Sequence, residues 1–146
     1  MEQVIFGIGP ATKFDRAEIP SLLKSAGLTP KGIDDCEFWV AKNTRNHTIG
    51  AVGLETWGSQ GLLRSLVVEK NSRRNGVGRK LVLHTITEAK KRNLKEIYLL
   101  TEAVKDYYLK LGFGLAEREK VQGPVLNSAE FRGACLENAD VMRIIL

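Results

Sequence analysis

The chain has 146 residues, of which 43% are hydrophobic and 27% charged, and these proportions are those of an ordinary folded protein rather than a disordered segment. No apolar run approaches the ~20 residues of a membrane-spanning helix, so we expect no membrane partner. The formal net charge of +5 leaves nucleic acid or a phosphorylated small molecule as candidate partners.

The start of the chain and its cysteines predict a cytoplasmic protein. The first six residues carry no basic region and no signal-peptide cleavage pattern. Cys36 and Cys135 are isolated thiols, which suits a reducing compartment, and the sequence leaves a bridge between them open. With no repeats, linkers or low-complexity segments, residues 1–146 are predicted to form a single α/β domain.

The first elements in the chain are predicted to be a strand and a helix. Residues 4–9 alternate weakly between polar and apolar, as an opening strand would. Asp15 is predicted to cap the helix, with Glu18 in the capping-box position and Pro20 in the first turn. Gly27 is predicted to end this helix.

A meander of three strands is predicted next. Residues 38–41 and 48–55 are apolar runs on either side of a polar turn, which indicates an antiparallel hairpin. A third strand, 62–68, follows another turn.

The second half of the chain predicts a crossover and two closing strands. Apolar residues recur at helical spacing over 77–92, and the nearly continuous apolar run 96–101 indicates a central parallel strand. A short helix over 104–111 follows. The last strands are predicted at 113–119 and 141–146, joined by an irregular stretch.

The loop between the third strand and the long helix has the features of a phosphate site. Gly76 and Gly78 lie where the helix begins, and the first N–H groups of a helix lack intrahelical partners and attract anions. Four cations surround these glycines: Arg73, Arg74, Arg79 and Lys80. The plainer interpretation, glycines that only make a turn, stays open at this point.

Two well-known phosphate loops are excluded by the residues that follow Gly78. A P-loop requires Lys and then Ser or Thr, whereas this chain has Arg79 and Lys80. A dinucleotide fingerprint requires a third small residue where Leu81 stands.

Two motifs resemble those of the GNAT superfamily of N-acetyltransferases. Arg73-x-x-Gly76-x-Gly78 resembles its acetyl-CoA signature, Gln/Arg-x-x-Gly-x-Gly/Ala. Tyr107-Tyr108-x-x-x-Gly112-Phe113 resembles its Phe-Tyr-x-x-x-Gly-Phe segment. The element order resembles the GNAT fold over nearly the whole chain. The resemblance implies a mixed, mostly antiparallel central sheet with a splayed parallel strand pair and flanking helices.

The resemblance also implies acetyl-CoA as the cofactor, with no metal. The pantetheine arm would pair with the backbone of Leu66, Val67 and Val68, where the two parallel strands splay apart. The pyrophosphate would bind in the loop formed by Arg73, Arg74, Asn75, Gly76, Val77, Gly78 and Arg79. Thr101 stands where the family often has Asn, and it still offers a hydroxyl to the cofactor.

Three further segments resemble the arsenic-resistance branch of the superfamily, which is related to amino-acid acetyltransferases such as N-acetylglutamate synthase. They are Gly53-Leu54-Glu55, Gly61-Leu62-Leu63-Arg64-Ser65-Leu66 and Ala129-Glu130-Phe131-Arg132-Gly133-Ala134-Cys135. The branch implies an amino acid or an amino-acid-like toxic compound as substrate, and dimers are common in the family.

Direct acetyl transfer requires a neutral amine, a polarised thioester oxygen and a proton for the departing thiolate. A main-chain N–H at Val67 or Val68 would polarise the oxygen. Tyr108 is the candidate proton donor, and the alternative is that it or Tyr107 packs as core.

Two charged residues are candidates for binding or activating the substrate. Glu55 either accepts the amine proton or is an ordinary glutamate before a turn. Arg64 is the candidate partner of a substrate carboxylate, through a two-pronged hydrogen bond. Strand alternation puts Arg64 on the face of Leu66 and Val68, so its burial depends on a bulge in the strand. His47 and His84 fall in no metal-ligand spacing.

The sequence therefore predicts an acetyl-CoA-dependent N-acetyltransferase that acts on a small-molecule amine. The alternatives are a non-catalytic acetyl-CoA-binding sensor and a protein or peptide N-acetyltransferase. A nucleic-acid binder is disfavoured, because the positive charge is concentrated on a glycine-lined helix start and aromatic residues are not interleaved with it.

Overall fold

The computed structural model describes residues 5–134 and 138–146. The strands are β1 (Phe6–Pro10), β2 (Glu37–Asn43), β3 (Thr48–Trp57), β4 (Gln60–Val68), β5 (Glu96–Thr101), β6 (Gly114–Ala116) and β7 (Asp140–Ile145). The α-helices are α1 (Lys13–Ser25), α2 (Val77–Lys91) and α3 (Lys105–Lys110). Within the described residues, no helix has both the length and the apolar character that crossing a membrane requires.

The strands form one mixed sheet in the order β1-β2-β3-β4-β5-β7-β6. The predicted hairpin of β2 and β3 is confirmed, and so is the parallel pairing of β4 with β5. The parallel register covers Gln60–Leu62 and Glu96–Tyr98, at the start of each strand, whereas β5 continues to Thr101 beside β7. The predicted fold class, a mostly antiparallel mixed sheet with one parallel pair and flanking helices, is confirmed.

The chain divides into two compact units. One comprises the chain up to Leu54 together with Ser65–Thr85, and the other comprises Glu55–Arg64 and the chain from Ile86 onward. β3 and β4 each contribute residues to both units. The interpretation of residues 1–146 as a single domain stays a prediction.

In the first unit, α1 packs its apolar face on the sheet. Ile19 and Leu23 are buried against strand residues that include Phe38 and Val40. The predicted start of α1 is wrong, because the cap is Thr12, whose hydroxyl accepts from the N–H of Asp15 at 3.2 Å. The Asp15 carboxylate accepts from the N–H of Thr12 at 2.7 Å and completes the capping box. The earlier start places Pro20 inside the helix rather than in its first turn.

The start of α2 packs closely on β3 within the same unit. A Cβ at Gly50 would lie 3.1 Å from side-chain atoms of Val77 and Leu81 and 3.1 Å from the backbone oxygen of Val67. A side chain here would push these neighbours away by a few tenths of an ångström, so Gly50 helps to fix where α2 begins.

In the second unit, a buried glutamine holds the loop after α3 and β6 against the sheet. The Gln60 amide donates to the carbonyl of Gln122 at 2.6 Å and accepts from the N–H of Val125 at 3.0 Å. Gly123 lies so close that a Cβ there would be 2.5 Å from the Gln60 oxygen. These contacts position the chain that leads to Glu130.

Several boundaries differ from the prediction. β5 has the predicted bounds, and α2 ends one residue before the predicted Arg92. The predicted strand 113–119 is wrong in its second half, because β6 ends at Ala116 and a 3₁₀ turn covers Arg118–Lys120. The N–H of Lys120 donates to the carbonyl of Glu117 at 3.0 Å, and this hydrogen bond closes the turn. The predicted opening strand begins partly outside the described residues, and Cys135 lies outside them.

Candidate active site

The β4–α2 loop contains two residues in the left-handed region. Arg74 has φ 68° and Gly76 has φ 77°. The Nε of Arg73 donates to the carbonyl of Val68 at 3.0 Å, which ties the loop to the end of β4. The Asn75 amide donates to the carbonyls of Ser72 and Arg73 at 3.1 and 3.0 Å. Alternation of right- and left-handed residues turns successive backbone N–H groups toward one side, as in anion-binding nests.

The start of α2 offers backbone N–H groups to an anion. The first hydrogen bond of the helix runs from the N–H of Lys80 to the carbonyl of Gly76 at 3.1 Å. The N–H groups of Val77, Gly78 and Arg79 precede that bond, so the helix itself provides no acceptor for them. The first turn of α2 contains no acidic side chain, unlike that of α1, where Asp15 occupies this position.

The loop has open space and positive charge in front of it, as a site for an anion such as a phosphate requires. A Cβ built on Gly76 would meet no atom within 4 Å, so the space in front of the loop is open. Arg73, Arg74 and Arg79 are exposed around it and supply positive charge. Leu66, Val67 and Val68 are the last three residues of β4, before the loop, and their pairing with pantetheine stays a prediction.

Thr101 and Tyr108 belong to the second unit. The Thr101 hydroxyl, at the end of β5, accepts from the N–H of Val104 at 3.3 Å and so supports the start of α3. Tyr108 is 7% exposed, whereas Tyr107 is 37% exposed, and their rings meet edge to face at 5.3 Å. The ring of Tyr108 also packs on Phe113, at 5.8 Å. The two tyrosines of the motif therefore differ in burial.

Burial raises the pKa of Tyr108 above its ordinary value of 10.0, and the charges of Tyr107 and Glu130 raise it further. A phenol with a raised pKa keeps its proton at neutral pH, so Tyr108 is in the state that a proton donor requires.

A buried cluster of charges lies in the second unit, around Arg64. The Nη1 of Arg64 lies 3.0 Å from Oε2 of Glu55, and its Nε lies 3.5 Å from Oε2 of Glu130. The side chain of Arg64 is 0% exposed. The Nε1 of Trp57 donates to the second oxygen of Glu55 at 2.8 Å. We call Glu55, Arg64 and Glu130 the arginine cluster.

A backbone irregularity explains why Arg64 is buried. Ser65 has φ 58°, in the left-handed region, and this breaks the side-chain alternation of β4. Arg64 is then buried, whereas Leu66 and Val68 are only partly buried. The prediction had made the burial of Arg64 depend on such a bulge.

Glu55 was predicted as a candidate and Glu130 was not. Glu55 is 3% exposed, so it is not an ordinary surface glutamate. Glu130 lies 66 positions after Arg64, in a turn that the sequence marks only as irregular. The sole sequence signal for it is the segment beginning at Ala129 that resembles the arsenic-resistance branch.

The remaining polar residues of interest are the cysteines and histidines. Within residues 5–134 and 138–146, no three His, Cys, Asp or Glu side chains form a group able to hold a metal ion. Cys36 is buried in the core of the first unit, with Ile19 and Leu23.

A family model described as an acetyltransferase (GNAT) domain matches residues 34–114, more than half of the chain. No curated protein sequence is similar enough to the chain to count as a relative.

Solved structures share the fold. The GNAT-family acetyltransferase of Staphylococcus aureus superposes with a TM-score of 0.79 at 20% identity, over 97% of this chain and 99% of that one. A GNAT-family acetyltransferase of Elizabethkingia anophelis with acetyl-CoA bound gives 0.69 at 19% identity, over 97% and 98%.

N-acetylglutamate synthase of Neisseria gonorrhoeae, complexed with coenzyme A and N-acetyl-glutamate, gives a TM-score of 0.82 at 18% identity, over 99% of this chain. The chain spans only 36% of the length of that synthase. Identities this low show the shared fold and leave the substrate open. Taken with the family match and the glycine loop at the start of α2, they lead to one conclusion: the chain belongs to the GNAT family of acetyltransferases.

Proposed function

We propose that the chain transfers the acetyl group of acetyl-CoA directly to the primary amine of a small molecule that also carries a carboxylate, such as an amino acid. The observation that carries this proposal is the complete burial of Arg64 beside Glu55, 3.0 Å away. Burying an ion pair costs desolvation energy that an apolar pair avoids, so its presence suggests a use other than stability.

Arg64 suits a carboxylate because a guanidinium has five N–H donors in a fixed plane. Two of its nitrogens contact Glu55 and Glu130, and these contacts orient the plane. The neighbouring synthase structures contain N-acetyl-glutamate in one case and L-arginine in another. Both molecules carry a carboxylate, which is consistent with an amino-acid-like substrate for this chain.

The cofactor would be held mainly by backbone groups of the first unit. The loop from Arg73 to Arg79 would bind the diphosphate, and the backbone of Leu66–Val68 would pair with pantetheine. Acetyl-CoA supplies a thioester carbonyl that is activated toward an amine. A main-chain N–H at Val67 or Val68 would donate to that carbonyl oxygen.

Three side chains of the second unit would act on the reaction. Tyr108 would donate a proton to the departing sulfur, since it holds its proton at neutral pH. Glu55 would bind the substrate together with Arg64 and would accept a proton from the amine. Thr101 would position the short helix that carries Tyr108, through its bond to Val104.

The finer branch assignment is also a proposal. The Gly53–Glu55, Gly61–Leu66 and Ala129–Cys135 segments favour an amino-acid-like toxic compound of the arsenic-resistance type among the carboxylate-bearing amines. We propose to test it by including such a compound beside ordinary amino acids.

The decisive experiment measures CoA release from acetyl-CoA with a panel of matched pairs. Each pair is an amino acid and the amine obtained by removing its carboxylate. We expect turnover of at least one amino acid, with kcat/KM about 10-fold or more above that of its decarboxylated partner, the worth of one charged hydrogen bond. Equal turnover of both members would overturn the carboxylate proposal. Binding of acetyl-CoA without turnover of any amine would favour the sensor alternative.

A further inference from the structure

A cavity of about 320 Å³ lies in the second unit, and the function proposed above does not use it. It is lined by Tyr98 on β5 and Arg143 on β7, which are opposite each other in the register of the two strands. Gly114 on β6 is opposite Arg143 on the other side. The volume is at the lower end of the range of small-molecule sites, about 300–1,000 Å³, so the cavity suits a small ligand.

The guanidinium of Arg143 is held in a fixed orientation. Its Nε donates to Oε1 of Glu96 at 2.7 Å, and its carbon atom lies 5.9 Å from the centre of the Tyr98 ring. The amide of Gln60 donates to the other oxygen of Glu96 at 3.5 Å, so Glu96 is oriented in turn. Among the described residues, the side chain of Arg143 makes no other hydrogen bond. Nη1 and Nη2 therefore keep their donors for a ligand, and little ordering is needed when one binds.

Gly114 leaves open space beside this guanidinium. A Cβ on Gly114 would meet no atom within 4 Å. Residues opposite each other in an antiparallel pair have side chains on the same face, so this space lies on the face of Arg143. Ala116 and Ile145 follow two positions later on the same face and give the cavity an apolar lining. Ile145 is 70% exposed, so a ligand here would cover an apolar side chain that faces water.

The charges around the cavity favour an anion with a single charge. Lys120 also lines the cavity, but its Nζ lies 3.1 Å from Oε2 of Glu117. A dianion such as phosphate would require a second cation that has no carboxylate beside it. A carboxylate carries one charge, and its two oxygens match the planar end of a guanidinium with two parallel hydrogen bonds.

The cavity is separate from the groups of the second unit that the proposed reaction uses. Tyr98 lies three residues before Thr101 on β5, which puts the two roughly 10 Å apart, with side chains on opposite faces of the sheet. The chain after α3 lies on the face opposite Arg143, because a Cβ on Gly112 would be 3.4 Å from Cδ1 of Ile144. A ligand in the cavity therefore would not occupy the place of the acetyl group.

We propose that this cavity binds a small molecule that carries a carboxylate on an apolar body. The carboxylate accepts from Nη1 and Nη2 of Arg143, and the body covers Ala116 and Ile145. This inference goes beyond the proposed function and does not rest on it.

The test uses 3-phenylpropionate and two probes that each lack one of its parts, 3-phenylpropan-1-ol and acetate. Nuclear magnetic resonance of the backbone N–H groups follows each titration, with and without saturating CoA. We expect 3-phenylpropionate to shift the signals of residues 114–116 and 143–145 in both cases, with a dissociation constant of about 1 mM, as suits a ligand of so few atoms. The alcohol and acetate should bind about 10-fold more weakly or less, because one lacks the charge and the other the apolar body.

Two variants change the cavity in different ways. Arg143→Gln removes the guanidinium, and Gly114→Val fills the space beside it without changing the charge. Each should weaken the binding of 3-phenylpropionate about 10-fold or more and leave the affinity for CoA unchanged. Gly114→Val carries the test if Arg143→Gln folds poorly, since nothing obstructs its Cβ. The control is Arg45→Gln, which removes a positive charge from an exposed position of the first unit and should bind the probe like wild type.

Three results would overturn the proposal. They are no shift at residues 114–116 up to about 10 mM 3-phenylpropionate, equal affinity for the acid and the alcohol, and wild-type affinity in Gly114→Val. Binding that shifts the signal of Arg64 and persists in Arg143→Gln would also overturn it, because the carboxylate would then lie in the arginine cluster. That last result would support the proposed function, so the two proposals can fail separately.

Discussion

The β4–α2 loop and the arginine cluster differ in how their parts are distributed along the chain. The loop takes its groups from the run Arg73–Arg79, and most of them are backbone N–H groups at the start of one helix. The arginine cluster joins side chains from β3, β4 and a turn 66 positions after Arg64. A site built from consecutive backbone groups can be found from a motif, whereas a site built from distant side chains appears only once the chain is folded.

The first way to test this comparison is to break the cluster with Arg64→Met. The change leaves two carboxylates buried without their shared cation, and we expect a loss of about 3–5 kcal/mol in the free energy of unfolding. In a protein of this size that corresponds to a melting temperature lower by roughly 10 °C. Thermal unfolding by circular dichroism measures it.

The matched control for this change adds Glu55→Gln and Glu130→Gln to the same protein. Removing both carboxylates along with the cation should recover much of the lost stability, because no charge is then left buried without a partner. A melting temperature of Arg64→Met within about 2 °C of wild type would mean that the cluster is not a coupled unit.

Tyr108→Phe should have the next largest effect, a reduction of kcat of about 10²-fold with the affinity for acetyl-CoA unchanged. Tyr107→Phe is its control, since Tyr107 is the exposed member of the pair. The donor must hold its proton, and burial raises the pKa of Tyr108 above 10.0. Any decline in wild-type activity below pH 10 should therefore also occur in Tyr108→Phe. A loss of less than about threefold would remove Tyr108 from the mechanism.

Gly76→Ala tests the loop directly. At φ 77° an L-residue costs about 1–2 kcal/mol, although no atom blocks the added methyl group. We expect the dissociation constant of CoA to rise about 10-fold, by calorimetry, because the backbone N–H groups move from their bound arrangement. Gly114→Ala, in open space without a positive φ, is the control. An unchanged dissociation constant for Gly76→Ala would show that the loop is adaptable.

Gly50→Ala should have the smallest effect, since it acts on the loop indirectly, through the start of α2. Its methyl group would press on Val67, Val77 and Leu81 at 3.1 Å and shift the start of α2 by a few tenths of an ångström. We expect about threefold weaker binding of CoA and a loss of stability of about 1 kcal/mol. Gly9→Ala adds the same methyl group to β1 with no atom within 4 Å. If Gly50→Ala and Gly9→Ala bound CoA with the same affinity and were equally stable, the position of α2 would not influence CoA binding.

Local signals predicted much of the fold. The bounds of β5 follow from one apolar run, and the glycines at Gly76 and Gly78 mark the start of α2. The prediction failed where two local signals competed. At the start of α1, the capping pattern in the sequence fits Thr12 with Asp15 and also fits Asp15 with Glu18. Only the packed structure decides between them, because Asp15 also bonds to Lys42 at 3.1 Å and to Thr48 at 3.3 Å.

The sequence predicted some residues of the candidate site and missed others, because parts of the site depend on the packed structure. The left-handed Ser65, which buries Arg64, has no sequence signature, since serine does not favour positive φ. The place of Glu130 depends on how Gln60 and Phe131 hold the late loop, and these contacts join residues far apart in the chain. No periodicity or short motif records contacts of that kind.

The central claim is that the backbone N–H groups at the start of α2 bind the diphosphate of CoA. Titration calorimetry of the wild-type protein with CoA, and separately with pantetheine, which lacks the diphosphate, tests it most directly. We predict a dissociation constant for CoA of about 1–100 μM and binding of pantetheine weaker by about 10-fold or more. No heat of binding with CoA at millimolar concentration, or equal affinity for the two molecules, would contradict the account.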